Sequence, residues 1–472
     1  MKRSKVVLYN PMAVFYDMPL ALLAIGSVLD PKRYEVIIVD ARVDDQAHQR
    51  VVEAAKDAVC VGVTVLTGSP ISDALTMGQK VKAAYPDLPI VWGGWHASLF
   101  PVETLEQEGT IDITVQAQGE ETFRELVNYL ENGADLSDVP GITFRRKNGE
   151  IQKNLGRPMQ DMNNLTRVNY DLIDVEKYFV AKKQRQFDYI SSTGCRFRCT
   201  FCADPFVYNR GWTALSPERM GEELGYWHKK HQFTDLNFQD ETFFTKRQRV
   251  VQISEQFLER GIQSTWAGTM RADQGFRMQD EEFDICKKAG LRRVLVGVES
   301  GTQEMMDWLK KDIKLPHVLE VAERCKQRDI AVIFPFIIGF PDESDESFEA
   351  SLKLAYQLSS MHPKFTTPIF YFKPYPGSQI TQEVVEKGYQ LPTTLEEWAN
   401  FDYIGSSGPW VTDAKYRKVE RFKFYNKLAS RKNALLFKPL QQLAKLRCKT
   451  DFFAFPIEKV LSDRLRPQQQ LS

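Results

Sequence analysis

The sequence predicts an α/β protein in which two series of strands alternate with helices and a helical region ends the chain. Short β-branched runs recur between amphipathic stretches over most of the 472 residues, and strands that are separated by helices form parallel sheets. The composition, with 43% hydrophobic and 26% charged residues, is that of a folded multidomain protein. It excludes a disordered or fibrous chain.

The first series predicts a Rossmann-like domain over residues 1–150. Helices separate its predicted strands, which lie at 6–9, 35–40, 59–65, 90–92 and 111–115. A hairpin follows, and its turn is Asn148-Gly149, a dipeptide suited to positive φ. Residues 151–184 contain scattered Pro, Asn and Asp with weak periodicity, so we interpret them as a linker.

The second series predicts a partial (β/α)6 barrel of the TIM type over residues 185–380. Helices again separate the predicted strands, which lie at 188–192, 235–239, 264–269, 293–298, 331–337 and 367–372. In such barrels the chemistry lies at the C-terminal ends of the strands. Residues 381–472 have a mainly helical pattern and form the last predicted region.

The charge balance excludes an overall attraction to nucleic acid. Lys plus Arg and Asp plus Glu both total 62, so the formal net charge is zero. The apolar run after Lys5 is too short for a secretory signal, and the run 331–340 is too short for a membrane span. We therefore expect a cytoplasmic protein without a nucleic-acid partner.

Three of the seven cysteines, Cys195, Cys199 and Cys202, lie close together after the predicted strand 188–192. An odd number with such a group argues against a disulfide framework and for a metal site in a reducing compartment. Three thiolates at this spacing can bind one face of a 4Fe-4S cluster and leave one iron without a protein ligand. That iron can chelate the amino and carboxylate groups of a methionine moiety and pass an electron to the adjacent sulfonium.

Two simpler interpretations of the three cysteines are weaker. Structural zinc needs four ligands, usually in separated pairs, and the sequence shows no second pair nearby. Buried packing thiols do not fit either, because Arg196, Arg198 and Thr200 are too polar for a core strand. The remaining cysteines are scattered, and we interpret them as packing residues: Cys60, Cys286, Cys325 and Cys448.

Residues 194–202 closely resemble the signature of the radical S-adenosylmethionine superfamily, in which an aromatic residue, here Phe201, precedes the last cysteine. The resemblance implies a 4Fe-4S cluster that cleaves S-adenosylmethionine to a 5′-deoxyadenosyl radical. It continues in the family's order through five strand-end segments, at 238–243, 269–271, 297–301, 338–341 and 374–378.

The acidic and basic residues at these strand ends also have a direct physical interpretation. Asp240 and Glu241 can accept hydrogen bonds from the substrate ammonium, and Arg271 can bind its carboxylate through a planar guanidinium. The family usually has Gly-Gly-Glu where this chain has Gln239-Asp240-Glu241, so the individual roles at this position stay open.

The later strand ends supply candidate residues for the nucleoside part of S-adenosylmethionine. Glu299 and Ser300 suit ribose hydroxyls, and Gly339 lets the backbone approach an adenine edge. Taken alone, Glu241 or Ser300 is more typical of a helix cap or a solvated group. Their joint order favours the site.

The loops of the first domain resemble those of the cobalamin-binding domain that precedes the barrel in one branch of the superfamily. Small residues at the ends of strands let the main chain approach a ligand. The candidate cobalamin-binding residues are Thr64, Thr67, Gly93, Gly94, Gly119 and Glu120. The resemblance implies cobalamin as a further cofactor, and the alternative is a domain that keeps the fold without the cofactor.

Cobalamin domains of the mutase type supply a lower cobalt ligand from an Asp-x-His-x-x-Gly loop after the first strand. This chain has Asn10-Pro11-Met12-Ala13-Val14 at that position, so no histidine ligand is visible. His96 follows Gly93-Gly94 and is a candidate for contact with the ligand. His48 lies in a charged predicted helix and is more typical of a surface residue.

The C-terminal region has basic residues between leucines and phenylalanines. Its basic residues include Arg431, Lys432, Lys438, Lys445, Arg447 and Lys449. The pattern fits peripheral contact with a membrane surface or a cover for a lipid-like substrate. We favour a helical lid on the open side of the barrel, because such faces are common.

The resemblance implies a radical enzyme that receives its electron from a small donor of the flavodoxin or ferredoxin type. The radical would remove hydrogen from an unactivated carbon of a small-molecule substrate. With cobalamin, the favoured outcome is methyl transfer that uses two molecules of S-adenosylmethionine per turnover. The alternatives are oxidative ring closure or rearrangement, as in the anaerobic tetrapyrrole cyclases, and a non-catalytic iron-sulfur protein.

Overall fold

The structure is a computed structural model of the chain, and it describes residues 3–401, 408–430 and 438–465. It divides into two compact units. Unit 1 comprises Met1–Glu241, Glu255–Thr265 and Tyr375–Asp402, and unit 2 comprises Thr242–Ser254, Trp266–Pro374 and Tyr403–Ser472.

Strands and helices alternate along the described chain. The strands are β1 Ser4–Asn10, β2 Tyr34–Asp40, β3 Ala58–Thr64, β4 Ile90–Gly93, β5 Ile113–Val115, β6 Ile142–Arg145, β7 Ile151–Lys153, β8 Gln186–Tyr189, β9 Ser192–Gly194, β10 Trp212–Ala214, β11 Asp235–Phe238, β12 Thr265–Met270, β13 Leu291–Val296, β14 Ala331–Ile333, β15 Phe336–Ile338, β16 Phe365–Thr366 and β17 Ile369–Tyr371.

The α-helices range from one to almost five turns. They are α1 Leu20–Ser27, α2 Ala47–Ala55, α3 Pro70–Ala84, α4 Trp95–Leu99, α5 Pro101–Gln107, α6 Glu120–Asn132, α7 Val175–Lys182, α8 Asp204–Val207, α9 Pro217–His231, α10 Arg247–Glu259, α11 Ala272–Arg277, α12 Asp280–Lys288, α13 Gln303–Trp308, α14 Leu315–Gln327, α15 Asp345–Met361, α16 Gln379–Glu386, α17 Leu395–Ala399, α18 Asp413–Ala429, α19 Lys438–Thr450 and α20 Ile457–Leu465.

The first sheet of unit 1 has the order β2-β1-β3-β4-β5-β6-β7. Strands β1 to β5 pair in parallel, as the alternation of strands and helices predicts. The order reverses between β1 and β3, and ligands bind outside the carboxyl ends of the strands at such a switch point. Antiparallel β6 and β7 extend the sheet as the predicted hairpin, with Gly149 at φ 88° in its turn.

Both faces of this sheet are buried, which explains why its strands are almost continuously apolar. Along β1, Val7 and Tyr9 pack on one side, whereas Val6 and Leu8 pack on the other. This alternation follows from the two-residue period of a strand. The sheet is therefore covered on both sides and leaves its carboxyl edge to the loops.

Unit 1 also contains two short strand pairs. Strands β8 and β11 pair in parallel. Strands β9 and β10 pair in antiparallel fashion, so that Trp212 lies opposite Gly194. This second pair closes a loop over residues 195–211, which contains the three clustered cysteines.

In unit 2, β12, β13, β14 and β16 form a parallel series, and β15 pairs with β17. The continuous strands expected at 331–337 and 367–372 are wrong, because the first is divided before Pro335 into β14 and β15 and the second begins only after Pro368, as β17. Pro335 and Pro368 have no N–H for a ladder bond, and each lies between two short strands. The parallel series supports the α/β class, while closure into a barrel stays a prediction.

The C-terminal part of unit 2 is helical, as predicted. Helix α19 packs against α18 and α15. Arg431, Lys432 and the neighbouring apolar residues up to 437 lie outside the described residues. Among the helices that the structure describes, none combines the length and the apolar character needed to cross a membrane.

Candidate active site

The loop over residues 195–211 is fixed at both ends by its backbone. Gly194 has φ 82°, and a Cβ on this residue would lie 2.4 Å from the carbonyl oxygen of Gly211. Glycine is required here because any side chain would collide with backbone atoms. The pairing of β9 with β10 therefore brings the ends of the cysteine loop together.

The three thiols of this loop form a donor set that suits an iron-sulfur cluster. Cys195, Cys199 and Cys202 are all partly exposed, and the amide of Cys202 donates to the carbonyl of Cys199 at 3.2 Å. Burial raises the pKa of the Cys202 thiol, and the neighbouring Asp204, Cys199 and Cys195 raise it further. Cationic iron would relieve this repulsion and bind the thiolates. Phe201, before the last cysteine, is half-buried.

The thiols do not converge on one point. In the part of the chain that the structure describes, no group of three or more His, Cys, Asp and Glu side chains is placed to hold a metal ion. A cluster does not need such convergence, because each thiolate binds a different iron. The donor set therefore fits a cluster better than a structural zinc ion.

A cavity of about 440 Å³ lies at the carboxyl edge of the first sheet of unit 1. Asn10, Thr64, Gly93 and Val115 line it, and they lie at the ends of β1, β3, β4 and β5. Such a volume is typical of pockets for small molecules and cofactors. Its apolar wall includes Pro19, Leu20, Ala21, Ile25 and Leu66.

The same cavity borders the cysteine loop. Thr193 of β9 and Tyr208, near the end of the loop, line it. So do Gln239 and Glu241, which follow β11. The ring of Trp95 at the start of α4 meets the ring of Tyr208 edge to face, with centroids 5.9 Å apart. Both the sheet edge and the cysteine loop of unit 1 thus face one space.

Most of the predicted cobalamin-binding residues line this cavity: Thr64, Gly93, Gly94, Gly119 and Glu120. Gly94 has φ 90°, and a Cβ there would lie 2.9 Å from the carbonyl oxygen of Val65. The glycines keep the rim low enough for a large ring to approach the main chain, so the residues present fit cobalamin. Burial raises the pKa of Glu120.

Thr67 and His96, which were expected to contact the ligand, do not line the cavity. Thr67 is not among the lining residues, and its Oγ1 lies 3.2 Å from Nδ1 of His96. His96 is buried against Phe100 and Trp398, and burial lowers its pKa to about 4. His96 is therefore a neutral core residue, and the expected contact with the ligand is wrong.

His48, which was expected to be a surface residue, is only partly exposed and has polar partners on both ring nitrogens. Its Nε2 lies 2.8 Å from Oδ1 of Asp73, and Nζ of Lys80 lies 2.9 Å from its Nδ1. The other carboxylate oxygen of Asp73 accepts from the Tyr9 hydroxyl at 2.6 Å. These contacts join α2, α3 and β1.

Two acidic residues follow the carboxyl end of β11, and their surroundings differ. Asp240 is buried and accepts from the amide and hydroxyl of Ser191 and from the hydroxyl of Ser192. These bonds tie the end of β11 to the entry of the cysteine loop, which favours a positioning role for Asp240. Glu241 lines the cavity, and burial raises its pKa to about 8, with a further contribution from Asp204.

The raised pKa of Glu241 makes stability depend on pH. The protonated form is favoured in the folded chain, so its contribution is present below the ordinary pKa of 4.5 and is lost as pH rises through about 8. We expect Glu241→Gln to gain stability over wild type on the order of 2 kcal/mol between about pH 6 and pH 9. Chemical denaturation of the full chain at both pH values measures this, with Glu150→Gln in the exposed hairpin turn as control. An equal pH dependence in wild type and Glu241→Gln would contradict the burial argument.

The predicted residues of unit 2 are joined to one another. Arg271 Nε donates to Oδ1 of Asp273 at 3.0 Å, and its Nη2 donates to the carbonyl of Lys311. Lys311 Nζ in turn pairs with Glu299, which is buried and has φ 67°. A Cβ at Gly297 would lie 2.4 Å from the Glu299 carboxylate, so a side chain there would force this carboxylate to move.

Ser300 and Gly339 also have contacts within unit 2. The Ser300 hydroxyl is buried and lies 3.2 Å from that of Ser347. Gly339 has φ 77° and donates its N–H to Oε2 of Glu343 at 2.6 Å. A Cβ on Gly339 would lie 2.2 Å from Cγ2 of Val411. The roles of these residues and of Arg271 and Glu299 in binding S-adenosylmethionine stay predictions.

Several residues of the cavity wall were missed by sequence reasoning. Met162, Leu165, Thr166 and Val168 come from the expected linker, whose weak periodicity gave no signal. Tyr208 also lines the cavity, and its pKa is raised by burial and by nearby Glu241. Its place six residues after Cys202 is the signal that could have identified it.

Comparison with known families finds two matches along the chain. Residues 189–355 match the Radical SAM superfamily, and residues 13–127 match the B12 binding domain. The first range contains the cysteine loop, and the second contains most strands of the first sheet of unit 1. Both matches agree with the resemblance seen in the sequence.

Two curated relatives cover most of the chain. It is 27% identical over 389 residues to an uncharacterized methyltransferase of Pyrococcus horikoshii, and the alignment covers 82% of each chain. It is 28% identical over 357 residues to the anaerobic magnesium-protoporphyrin IX monomethyl ester cyclase of Synechocystis sp., covering 74% of this chain and 70% of the cyclase.

Among solved structures, the chain resembles the radical S-adenosylmethionine methyltransferase TsrM from Kitasatospora setae. The TM-score is 0.71 at 15% identity, and the alignment covers 93% of this chain and 90% of TsrM. At this identity the likeness shows a shared fold.

The cavity at the carboxyl edge of the parallel sheet is bordered by the flanks of a loop that carries three thiols, the donor set of an iron-sulfur cluster. The chain contains a domain that matches the Radical SAM superfamily, and a domain that matches the B12 binding domain precedes it. Its two matched domains imply a 4Fe-4S cluster, S-adenosylmethionine and cobalamin as cofactors.

Proposed function

We propose that this protein is a cobalamin-dependent radical S-adenosylmethionine methyltransferase that methylates an unactivated carbon of a small molecule. One observation carries the proposal: the cavity of unit 1 is lined both by the glycines at the sheet edge and by the flanks of the cysteine loop. Two cofactors held on one cavity can act on one substrate without long-range diffusion of a reactive group. The similarity to an uncharacterized methyltransferase supports this outcome.

In this proposal, the side chains divide between cofactor binding and positioning. Cys195, Cys199 and Cys202 would hold the cluster, and the five cavity-lining candidates of the first sheet would hold cobalamin. The cluster would supply the electron that cleaves S-adenosylmethionine, and cobalamin would carry the methyl group. The apolar cavity wall excludes water, which protects radical chemistry from side reactions.

Glu241 would bind the ammonium group of S-adenosylmethionine. Burial raises the pKa of this carboxyl and favours its protonated form, and an approaching ammonium would favour the charged form. We propose that Asp240 holds the strand end in place, and that Arg271, Glu299, Ser300 and Gly339 contact the rest of the molecule.

We also propose the domain boundaries of the sequence analysis, at 1–150, 151–184, 185–380 and 381–472. Both family matches fall inside a proposed domain, because 13–127 lies within the first and 189–355 within the third. The thiol loop would require a reducing compartment, which supports the proposed cytoplasmic location.

A second candidate activity is oxidative ring closure, which the similarity to the magnesium-protoporphyrin ester cyclase favours. The two activities differ in the product. A methyltransferase adds one carbon to the substrate, whereas a cyclase removes hydrogen without adding carbon. The third alternative, a non-catalytic iron-sulfur protein, would form no 5′-deoxyadenosine.

The deciding experiment starts with anaerobic reconstitution of the full chain with iron, sulfide and hydroxocobalamin, followed by desalting. The protein is then reduced with dithionite, supplied with S-adenosylmethionine labelled with deuterium on the methyl group, and analysed by mass spectrometry. Retained cobalamin, 5′-deoxyadenosine and a labelled methyl group on a candidate substrate are expected. If the cluster forms but cobalamin washes away, the methyltransferase proposal fails and the radical assignment survives.

The electron donor would be a small acidic protein of the flavodoxin or ferredoxin type. Arg196, Arg198 and Arg210 are exposed on the cysteine loop, and Phe206 of the same loop is 50% exposed. Positive charge beside the cluster would attract an acidic donor and orient it. Because Arg196 directly follows Cys195, a donor that contacts it would lie close to the cluster.

We expect Arg196→Glu/Arg210→Glu to slow flavodoxin-driven 5′-deoxyadenosine formation about tenfold or more at low salt, because it reverses charge at the docking surface. The rate with dithionite should not change. Lys147→Glu/Lys153→Glu in the hairpin of unit 1 is the matched control. Equal slowing with both reductants would place the effect on the cluster and contradict the docking proposal.

A further inference from the structure

The C-terminal hairpin of unit 2 exposes an unusual number of large apolar side chains. They belong to α19, α20 and the turn between them, and we call them the C-terminal apolar surface: Leu440, Leu443, Leu446, Phe452, Phe455, Ile457 and Val460. Phe455 is 78% exposed and Ile457 is 64% exposed. Single exposed apolar residues are ordinary, but a contiguous sequence segment with seven of them indicates an interaction site.

The exposure does not result from loose packing of the segment. Between the exposed phenylalanines, Phe453 is buried and stacks on Tyr425, with ring centroids 5.9 Å apart. Ala444 and Cys448 of α19 are buried as well. Helix α19 therefore has one face packed on unit 2 and another face that carries exposed leucines.

The turn between α19 and α20 is held in place by a buried arginine. Arg447 donates to the carbonyls of Phe452, Ala454 and Phe455 at 3.0 to 3.3 Å. It also pairs with Glu458 at 3.1 Å. The expected surface role of Arg447 in a basic face is therefore wrong.

Two residues of this turn have left-handed backbone. Asp451 has φ 53° and Phe455 has φ 49°. Non-glycine residues adopt this conformation at a cost, and it persists only where the surrounding structure determines it. The hydrogen bonds and the ion pair of Arg447 thus maintain a turn in which Phe452 and Phe455 are exposed to solvent.

The charges around the surface are unbalanced. Lys438, Lys445 and Lys449 are exposed and have no ion-pair partner among the residues that the structure describes. The nearby acids are neutralised within unit 2, since Asp451 pairs with Lys418 and Glu458 pairs with Arg447. The rim of the apolar surface is therefore cationic.

We propose that the C-terminal apolar surface docks the protein on the interface of an anionic lipid bilayer. Apolar side chains would enter the boundary between headgroups and acyl chains, while the lysines contact anionic headgroups. A second copy of the chain is a poorer occupant, because its lysine rim would face an identical positive rim. This inference is independent of the proposed catalytic function.

The test uses vesicle flotation of the full chain with phosphatidylcholine vesicles, with and without phosphatidylglycerol. Binding is expected only to the vesicles that contain phosphatidylglycerol, and it should weaken with salt. Lys445→Glu/Lys449→Glu should reduce binding about tenfold or more. Phe455→Ser/Ile457→Ser should reduce binding to a similar extent, about tenfold.

The matched control is Leu155→Ser/Val180→Ser, which removes two apolar side chains that are exposed in unit 1. It should bind like wild type, and circular dichroism should show the same helix content in all variants. No binding of wild type, or equal binding to both kinds of vesicle, would overturn the proposal. Self-association that Phe455→Ser/Ile457→Ser abolishes, without vesicle binding, would also overturn it and assign the surface to a second copy.

Discussion

Replacing Cys199 with alanine is expected to reduce 5′-deoxyadenosine formation to the background level. Cys199 is the middle thiol of the cysteine loop, and the cluster needs all three thiolates because the loop contains no other cysteine. Iron and sulfide bound after reconstitution should fall together with activity. Absorption spectra and iron content of the reconstituted full chain measure the first effect, and mass analysis of the nucleoside measures the second.

The matched control for this prediction is Cys60→Ala. Cys60 lies in β3, is fully buried and has no cysteine neighbour in sequence. We expect it to lose about 1 kcal/mol of stability through lost packing and to keep its cluster. Full 5′-deoxyadenosine formation by Cys199→Ala would show that this thiol is not a cluster ligand and would remove the basis of the proposed function.

Gly194→Ala is expected to destabilise the folded chain by about 2–4 kcal/mol, because alanine is strained at φ 82° and its Cβ would collide with a backbone oxygen. Backbone atoms cannot move aside as a flexible side chain can. The pairing of β9 with β10 would open, so reconstitution should also yield less cluster per chain. Equilibrium unfolding in urea measures the loss of stability, and iron analysis measures the loss of cluster.

Gly156→Ala provides the comparison. Gly156 is exposed, has no atom within 4 Å of a new Cβ and does not have positive φ. Its substitution should change stability by less than about 0.5 kcal/mol. A Gly194→Ala variant that is as stable as Gly156→Ala would mean that the loop ends tolerate a side chain and that their close approach is not needed.

The sequence was sufficient to predict the features that depend on local pattern. Apolar strands between amphipathic helices predicted the parallel sheet of unit 1, and the spacing of three cysteines indicated the resemblance that the Radical SAM match over residues 189–355 supports. Glycines at the ends of β4 and before α6 predicted the low rim of the cavity. In each case the requirement acts on residues that are neighbours in the chain.

Other features depend on contacts that no local pattern encodes. The strands near Pro335 and Pro368 read as continuous runs, because the loss of a single N–H is invisible in hydrophobicity. His96 follows two glycines of the cavity rim, yet its ring turns into a core with Trp398, which lies 302 residues later in the sequence. Segment 162–168 lines the cavity but has no hydrophobic periodicity, because its tertiary contacts and not a regular helix or strand determine its position.

The pairing of β9 with β10 affects how the protein recovers after oxygen destroys its cluster. Oxygen destroys exposed iron-sulfur clusters, and many metal-binding loops unfold when the metal leaves. Here the backbone pairing of β9 with β10 holds the two ends of the loop together. Iron binding therefore does not have to offset the entropic cost of closing the loop. A chain that has lost its cluster would keep the two ends of the cysteine loop together, so that repair with fresh iron, sulfide and reduced thiols would not require the loop to be closed again.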